Sequence, residues 1–370
     1  MRSQTIDPAT IGKILIRAVN WLGDAVMTTP AIGTVREFFP TARITLLATP
    51  LVAEMFTPHP WVDELLVYDR NGRHRGIGGR LRLAAELKAC AFDLAIILPN
   101  SFDSALVPWL AGIPRRLGLR SDGRGMLLTH GVPQEERRLT GHQTGYYLAI
   151  LDYLGIVATP RSQYLCTTPD EDWVNASLLQ NGGILPGDFV IGINPGATYG
   201  SAKRWYPDRF AAVADMLAKR WGAKVIVTGG PGETEIASDI VGAMSSPCMN
   251  LAGKTGVRGL MAAIKRCNIF ITNDSGPMHI AAAFGVPLVA IFGSTDNMTT
   301  YPLAEHALVV RQKVDCAPCM KRECPTDHCC MTAVTPAMVI EAAERLKEQI
   351  DVHGSILSVP NPESRTPNQS

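Results

Sequence analysis

The chain predicts an α/β protein made of two doubly wound parallel sheets, each in its own Rossmann-like domain, facing each other across a cleft. Short, almost unbroken apolar runs alternate with helical stretches, the pattern of strands covered on both faces by crossover helices. The alternation occurs twice, on either side of an interval between residues 157 and 187 that carries Pro160, Pro169, Pro186 and Asn181-Gly182-Gly183. At 370 residues the chain also exceeds what one ordinary core holds.

In the first half, residues 13–19 read as a strand leading into a helix over 24–38. Further strands fall at 43–49, 64–68 and 92–98, and helices at 80–90, 103–111 and 141–154. In the second half, strands at 189–194, 224–228, 249–251, 269–272 and 288–292 alternate with helices at 208–220, 233–244, 257–265 and 278–284. A helix over 170–179 fits either half. The domains are then 1–180 and 181–357, with the polar, proline-containing stretch 358–370 expected to be disordered. Ligands of such sheets bind beyond the carboxyl ends of the strands, so the loops after each strand are where chemistry belongs.

Composition narrows the function. The chain is 46% hydrophobic and 19% charged, with net charge +1 and no long basic block, which sets nucleic acid aside as main partner. No apolar segment reaches the roughly 18 residues that span a bilayer, and residues 1–10 lack the apolar stretch of a signal peptide. The expected location is the cytoplasm, with transient contact to a membrane surface. Neither a GxxxxGK[ST] loop nor a G-x-G-x-x-G after a strand occurs, which argues against an ATPase, a kinase or a nicotinamide enzyme.

The most informative stretch begins at Thr272-Asn-Asp-Ser-Gly-Pro-Met-His279. A strand ends there, Ser275 or Asp274 suits a helix N-cap, Pro277 suits the first turn, and Gly285 with Pro287 closes the helix. The small-residue N-terminus offers backbone N–H groups and a partial positive charge, so a diphosphate is expected against Asp274, Ser275, Gly276, Pro277 and Met278. His279, one turn on, either packs against the helix start or donates to that ligand. After the first strand comes Asn20-Trp-Leu-Gly-Asp24, whose Asp24 reads both as a helix cap and as a carboxylate projecting into the cleft; the two are compatible. After the strand at 189–194, Gly196 and Ala197 let backbone approach a ligand, with Thr198 closing the turn. Lys203 beyond it is either an exposed loop lysine or a point charge for a phosphate. In Gly229-Gly-Pro-Gly-Glu233 the acid suits either ribose hydroxyls or the dipole of its own helix.

Together these loops resemble the ADP-heptose:lipopolysaccharide heptosyltransferases, inverting glycosyltransferases of the two-domain GT-B fold. The likeness rests on Ile14-Leu-Ile-Arg17, Asn20-Trp-Leu-Gly-Asp-Ala-Val-Met-Thr-Thr-Pro30, Pro195-Gly-Ala197, Lys203-Arg-Trp-Tyr-Pro207, Gly229–Glu233, Thr272–His279 and Phe292-Gly-Ser-Thr-Asp296, in family order over roughly residues 13–330. The Asn-Trp-Leu-Gly-Asp form is most like the type II members, which add the second heptose of the inner core. The resemblance implies that the N-terminal domain holds a heptosyl-Kdo2-lipid A acceptor and the C-terminal domain ADP-L-glycero-D-manno-heptose. It implies Asp24 as general base, with Asp274 as its rival, Lys203 on the donor phosphate, Glu233 on the ribose, and Asp274 with the amides of 275–278 around diphosphate and sugar. Thr198 and His279 are counted with the donor contacts. No Asp-x-Asp pair stands at a strand end, in keeping with transfer that needs neither metal nor cofactor. Competing readings are a related transferase of type I or III, a nucleotide-sugar epimerase, and a non-catalytic nucleotide-sugar-binding module.

Two segments stand apart. Cys316-x2-Cys319-x4-Cys324, with Cys329 and Cys330 beyond it, has zinc-like spacing only in its first pair. Similar clusters occur in the type II enzymes. A structural zinc on Cys316, Cys319, Cys324 and Cys330 or His328 would leave Cys329 as the extra thiol; a metal-free thiol cluster and paired disulfides are the other readings. Residues 70–82 hold five arginines, one histidine and four glycines, which suits a solvated loop, an anionic acceptor or an anionic membrane surface.

Overall fold

The structure, a computed structural model, describes residues 6–135, 141–157 and 162–352. The stretch 358–370, expected to be disordered, lies outside the described residues. Strands β1 (Lys13–Arg17), β2 (Arg43–Ala48), β3 (Glu64–Val67), β4 (Leu94–Ile97), β5 (Arg115–Leu119) and β6 (His130–Val132) form a parallel sheet in the order β3-β2-β1-β4-β5-β6. Strands β7 (Val190–Asn194), β8 (Lys224–Val227), β9 (Cys248–Asn250), β10 (Ile269–Asn273), β11 (Leu288–Ile291) and β12 (Ala307–Val310) form a second, ordered β12-β11-β10-β7-β8-β9. Both halves thus wind the same way, and the two doubly wound parallel sheets expected from the sequence are present. Chain direction across the sheet reverses between β1 and β4, where Ile14 lies opposite Leu94, and between β7 and β10, where Ile191 lies opposite Ile269. Such switch points are where ligands of doubly wound sheets bind.

Three short strands carry too weak a pattern to be read from the sequence. β5 begins with two arginines and contains Gly118, β6 has three residues, and β12 is an edge strand of four. The helix Pro336–Val352 is a further addition, although Val339, Ala342, Ala343 and Leu346 bury at helical spacing.

The helix Leu22–Phe38 occupies the centre of the molecule. Ala25 through Val35 are all buried, as expected of a helix enclosed on every side, here by helices Gln143–Asp152 and Gly276–Ala283. Pro30 lies inside it and lacks an amide for the Val26 carbonyl; Thr29 Oγ1 donates to that carbonyl at 2.7 Å instead. One apolar cluster runs from Ile14 in the first half to Phe292 in the second, so the halves share core as well as a cleft.

The helix Pro169–Asn181, which fits either half on sequence, packs on helix Val257–Lys265 of the second. Its capping-box acid Glu171 receives Arg258 Nε at 2.7 Å and Nη2 at 2.6 Å, and Arg258 Nη1 reaches the Met55 carbonyl of the first half at 3.0 Å. The guanidinium holds Glu171 below the usual carboxylate range. Among the described residues no helix is long and apolar enough to cross a membrane.

Candidate active site

The loops after β1, β7 and β10 converge where the halves meet. Helix Leu22–Phe38 starts after β1 with Trp21 as N-cap and no side-chain cap; Asp24 is half-buried in its first turn rather than at the cap itself. Helix Gly276–Ala283 starts after β10 with Ser275 as N-cap, again without a side-chain cap. The Ser275 hydroxyl donates instead to Asn194 Oδ1 at 3.3 Å, at the end of β7. Both helices therefore present first-turn amides without a side-chain cap, the arrangement that receives an anion.

Two glycines let these helix ends touch. A Cβ on Gly23 would lie 2.9 Å from the His279 ring and 3.3 Å from Gly276 Cα, and one on Gly276 would lie 3.3 Å from Gly23 N. Gly23→Ala should therefore displace the His279 ring and part the two helix ends. The expected cost is about 1–3 kcal/mol of stability, read as a lower urea midpoint at unchanged slope. A midpoint equal to wild type would show that the contact is slack.

On the second half, Lys203 Nζ lies 2.6 Å from Asp274 Oδ2, with the two side chains 14% and 5% exposed. Thr295 Oγ1 donates to the same oxygen at 2.6 Å. The Asp274 carboxylate thus fixes Lys203, and the ammonium also lies 5.0 Å from the Tyr199 ring centroid. Asn273 secures the adjoining backbone, accepting from Trp205 N at 3.1 Å and donating to the Pro195 carbonyl at 2.7 Å. Thr198 is exposed beside Tyr199, whereas Met278 is wholly buried and belongs to the core. Glu233 Oε2 accepts from Gly230 N at 2.8 Å, and its carboxylate lies against Gly196, where a Cβ would be 2.0 Å from Oε1. It caps its own turn while lying beside the β7 loop.

His279 is 3% exposed, its Nδ1 has no partner, and burial lowers its pKa to about 4, outweighing the opposite pull of Asp274. It is a neutral imidazole held behind Gly23. From the first half, His142 Nε2 lies 3.0 Å from the Tyr301 carbonyl and spans the cleft.

Sequence reasoning missed the braces of the site. Arg17, buried at the end of β1, donates to Asn20 Oδ1 at 3.0 Å and to the Ala18 and Leu47 carbonyls; burial lowers its pKa to about 10. Arg124, also buried, donates to the Leu119 carbonyl at 2.8 Å and to Ser104 Oγ at 2.8 Å, and through the Pro99 and Ser101 carbonyls it holds the loop after β4. Asn194, Asn273 and Thr295 are buried polar residues that close apolar runs, the one signal that marks them in sequence.

The proposed zinc set does not assemble. Among the described residues no group of three or more His, Cys, Asp or Glu is arranged to hold a metal. Cys316 Sγ lies 3.5 Å from Cys329, the thiol set aside as extra, while Cys330 is buried against Gly293, where burial pushes its thiol up. The cysteine segment instead supports the Lys203 loop: Ala202 N donates to the Arg322 carbonyl at 3.0 Å, Tyr199 Oη to the Met320 carbonyl at 2.9 Å, and His328 Nε2 lies 3.0 Å from the Ala202 carbonyl.

Comparison with known proteins agrees with this geometry. The family description "Glycosyltransferase family 9 (heptosyltransferase)" matches residues 80–330. The chain is 32% identical to lipopolysaccharide heptosyltransferase 2 of Escherichia coli over 310 residues, 81% of this chain and 88% of that one. The solved structure of E. coli ADP-heptose lps heptosyltransferase II superposes with a TM-score of 0.79 at 29% identity, covering 92% of this chain and 99% of that one. A glycosyl transferase family 9 protein from Veillonella parvula superposes at 0.84 with 28% identity, over 94% and 100% of the two chains. This chain belongs to glycosyltransferase family 9, the heptosyltransferases, and its two facing sheets are the GT-B fold.

Proposed function

We propose that this enzyme transfers L-glycero-D-manno-heptose, with inversion, from ADP-heptose to the first heptose of the lipopolysaccharide inner core on Kdo2-lipid A. The convergence of two helix N-termini, neither capped by a side chain, with Lys203 on one side and Asp24 on the other carries the reading. In this scheme the first sheet and its helices hold the acceptor, and the second sheet and its helices, with Pro169–Asn181 packed on them, hold the donor. Asp24 takes the proton of the acceptor hydroxyl as its oxygen attacks the anomeric carbon. The bond from that carbon to the diphosphate oxygen breaks, and ADP leaves with the electron pair. Lys203 and the N–H groups of Ser275 and Gly276, at the start of helix Gly276–Ala283, stabilise the charge that develops on the leaving group; Pro277 has no N–H, and the Met278 amide bonds the Ser275 carbonyl. Asp274 aims Lys203, Glu233 serves the ribose, and Thr198 stands at the mouth of the donor loop. His279, neutral, contributes shape and a single N–H. The acceptor's lipid anchor brings the enzyme to the cytoplasmic face of the inner membrane.

The test is transfer from ADP-heptose to a heptosyl-Kdo2-lipid A acceptor, with the linkage of the product determined. A product carrying heptose on the first heptose is expected. Donor binding without product on this acceptor, but with product on an acceptor that lacks or extends that heptose, would assign the chain to a type I or type III activity. Conversion of ADP-heptose without acceptor would make it an epimerase, and donor binding with neither outcome would make it a binding module.

A further inference from the structure

Trp21 is 51% exposed, and its place sets it apart from the other exposed tryptophans, Trp109 and Trp173. Those two lie within helices Phe102–Leu110 and Pro169–Asn181, whereas Trp21 is the N-cap of helix Leu22–Phe38, in the loop after β1. The three residues after it are half-buried, and Gly23 among them faces Gly276 and His279 where the halves meet. A lone exposed aromatic means little by itself. What stands beside this one gives it a use. Asn20, half-buried, has its Oδ1 fixed by Arg17 Nη2 at 3.0 Å. Arg17 is itself locked: it is buried, donates to the Ala18 and Leu47 carbonyls, and has its guanidinium carbon 5.1 Å from the Tyr68 ring centroid. A guanidinium only donates, so it fixes which way the Asn20 amide faces and leaves the Nδ2 hydrogens to another partner. Among the described residues Nδ2 has no acceptor, and solvent reaches it.

We propose that Asn20 and Trp21 seat the acceptor sugar, the indole face carrying its ring and the Asn20 amide donating to one of its hydroxyls. Trp21 and Asp24 are N-cap and N3 of one helix, positions that reach each other's backbone in a capping box and stand about one turn, ~5.4 Å, apart. A base has to lie within about 3 Å of the hydroxyl that it deprotonates, so the sugar bearing that hydroxyl stands beside Asp24 and extends to the N-cap. A pyranose offers what each group takes. Its C–H bonds, polarised by the neighbouring oxygens, form an apolar patch of positive hydrogens that suits the negative face of an indole. Its hydroxyls accept from an amide. The donor is held from the other side, since Lys203 and Ser275 belong to the second half, across Gly276. This role rests on the reading of Asp24 as a base that faces an acceptor sugar, and it adds what holds that sugar.

The test compares initial rates of the full chain on a de-acylated, soluble acceptor and on the same acceptor in vesicles, with ADP-heptose affinity measured by calorimetry. Trp21→Ala should raise the KM for both acceptors about tenfold, the scale of one lost aromatic contact. Its kcat should stay within about threefold of wild type, with donor affinity unchanged. Trp21→Phe, which keeps an aromatic face, should regain most of the loss. Asn20→Asp keeps an oxygen for Arg17 and removes the N–H groups, so it should raise the same KM about fivefold without lowering the urea midpoint. An unchanged acceptor KM in Trp21→Ala overturns the proposal, as does a Trp21→Phe no better than alanine. A loss of donor affinity as large as the rise in acceptor KM also overturns it and gives the ring to the donor. A KM that moves only for the vesicle-embedded acceptor overturns it as well, since the ring would then touch lipid. Wild type that ignores the heptosylated acceptor but uses a shorter or longer one, with that KM raised in Trp21→Ala, would overturn the substrate reading and leave the sugar seat standing. Transfer to no acceptor overturns both.

Discussion

Asp24→Asn is expected to lower kcat by about a thousandfold while ADP-heptose still binds with near wild-type affinity, because the variant keeps the shape of the side chain and removes only its ability to take a proton. Asp24 lies in the first turn of helix Leu22–Phe38, on the half opposite Lys203, so the donor loops stand on other elements. An acid in a helix first turn contributes about 0.3–1 kcal/mol to stability, too little to unfold the protein. Donor affinity by calorimetry, kcat with the heptosylated acceptor and the urea midpoint together separate the roles. If the variant kept a tenth or more of the wild-type rate, Asp24 would be a helix-terminus acid and the base would have to be sought elsewhere, with Asp274 the first candidate.

Lys203→Met should cut kcat by about a hundredfold or more, the scale of losing one preorganised charge at a developing oxyanion. It should also destabilise the fold by about 3 kcal/mol, at the low end for a broken buried pair because the ammonium keeps some contact with solvent. Asp274 would be left buried with Thr295 as its remaining partner at that oxygen. Pairing the change with Asp274→Asn separates the two effects. The double variant should recover most of the lost stability and none of the lost rate. Recovery of both would mean that Lys203 acts only as a structural counter-ion to Asp274.

Much of this fold is legible in the chain because parallel strands are buried on both faces and so appear as apolar runs; the central strands of both sheets coincide with those runs. The edge strand β6 has only three residues and β12 four, most of them half-buried, and their signal fades accordingly. The loops of the site are legible too, since small residues, a lysine and acids stand directly after the apolar runs. Their pairings are not, because Lys203 meets Asp274 across 71 residues only through the adjacency of β7 and β10. The likeness to the type II clusters also misleads at Cys329, which it sets aside as the extra thiol and which the backbone brings to Cys316. The role of the buried Arg17 is equally hidden, since a guanidinium held by carbonyls leaves no trace in neighbouring residue types.

The meeting of Gly23 with Gly276 also has a mechanical meaning. Any rocking of one half against the other that keeps this contact must use it as a fulcrum, and displacement in such a motion grows with distance from the fulcrum. Asp24 is one residue from it and Ser275 one residue from its other side, so the groups proposed for the reaction ride where the lever arm is shortest. In such a motion loops far from the fulcrum would move furthest, while the distance between the proposed base and the proposed leaving-group site would change little.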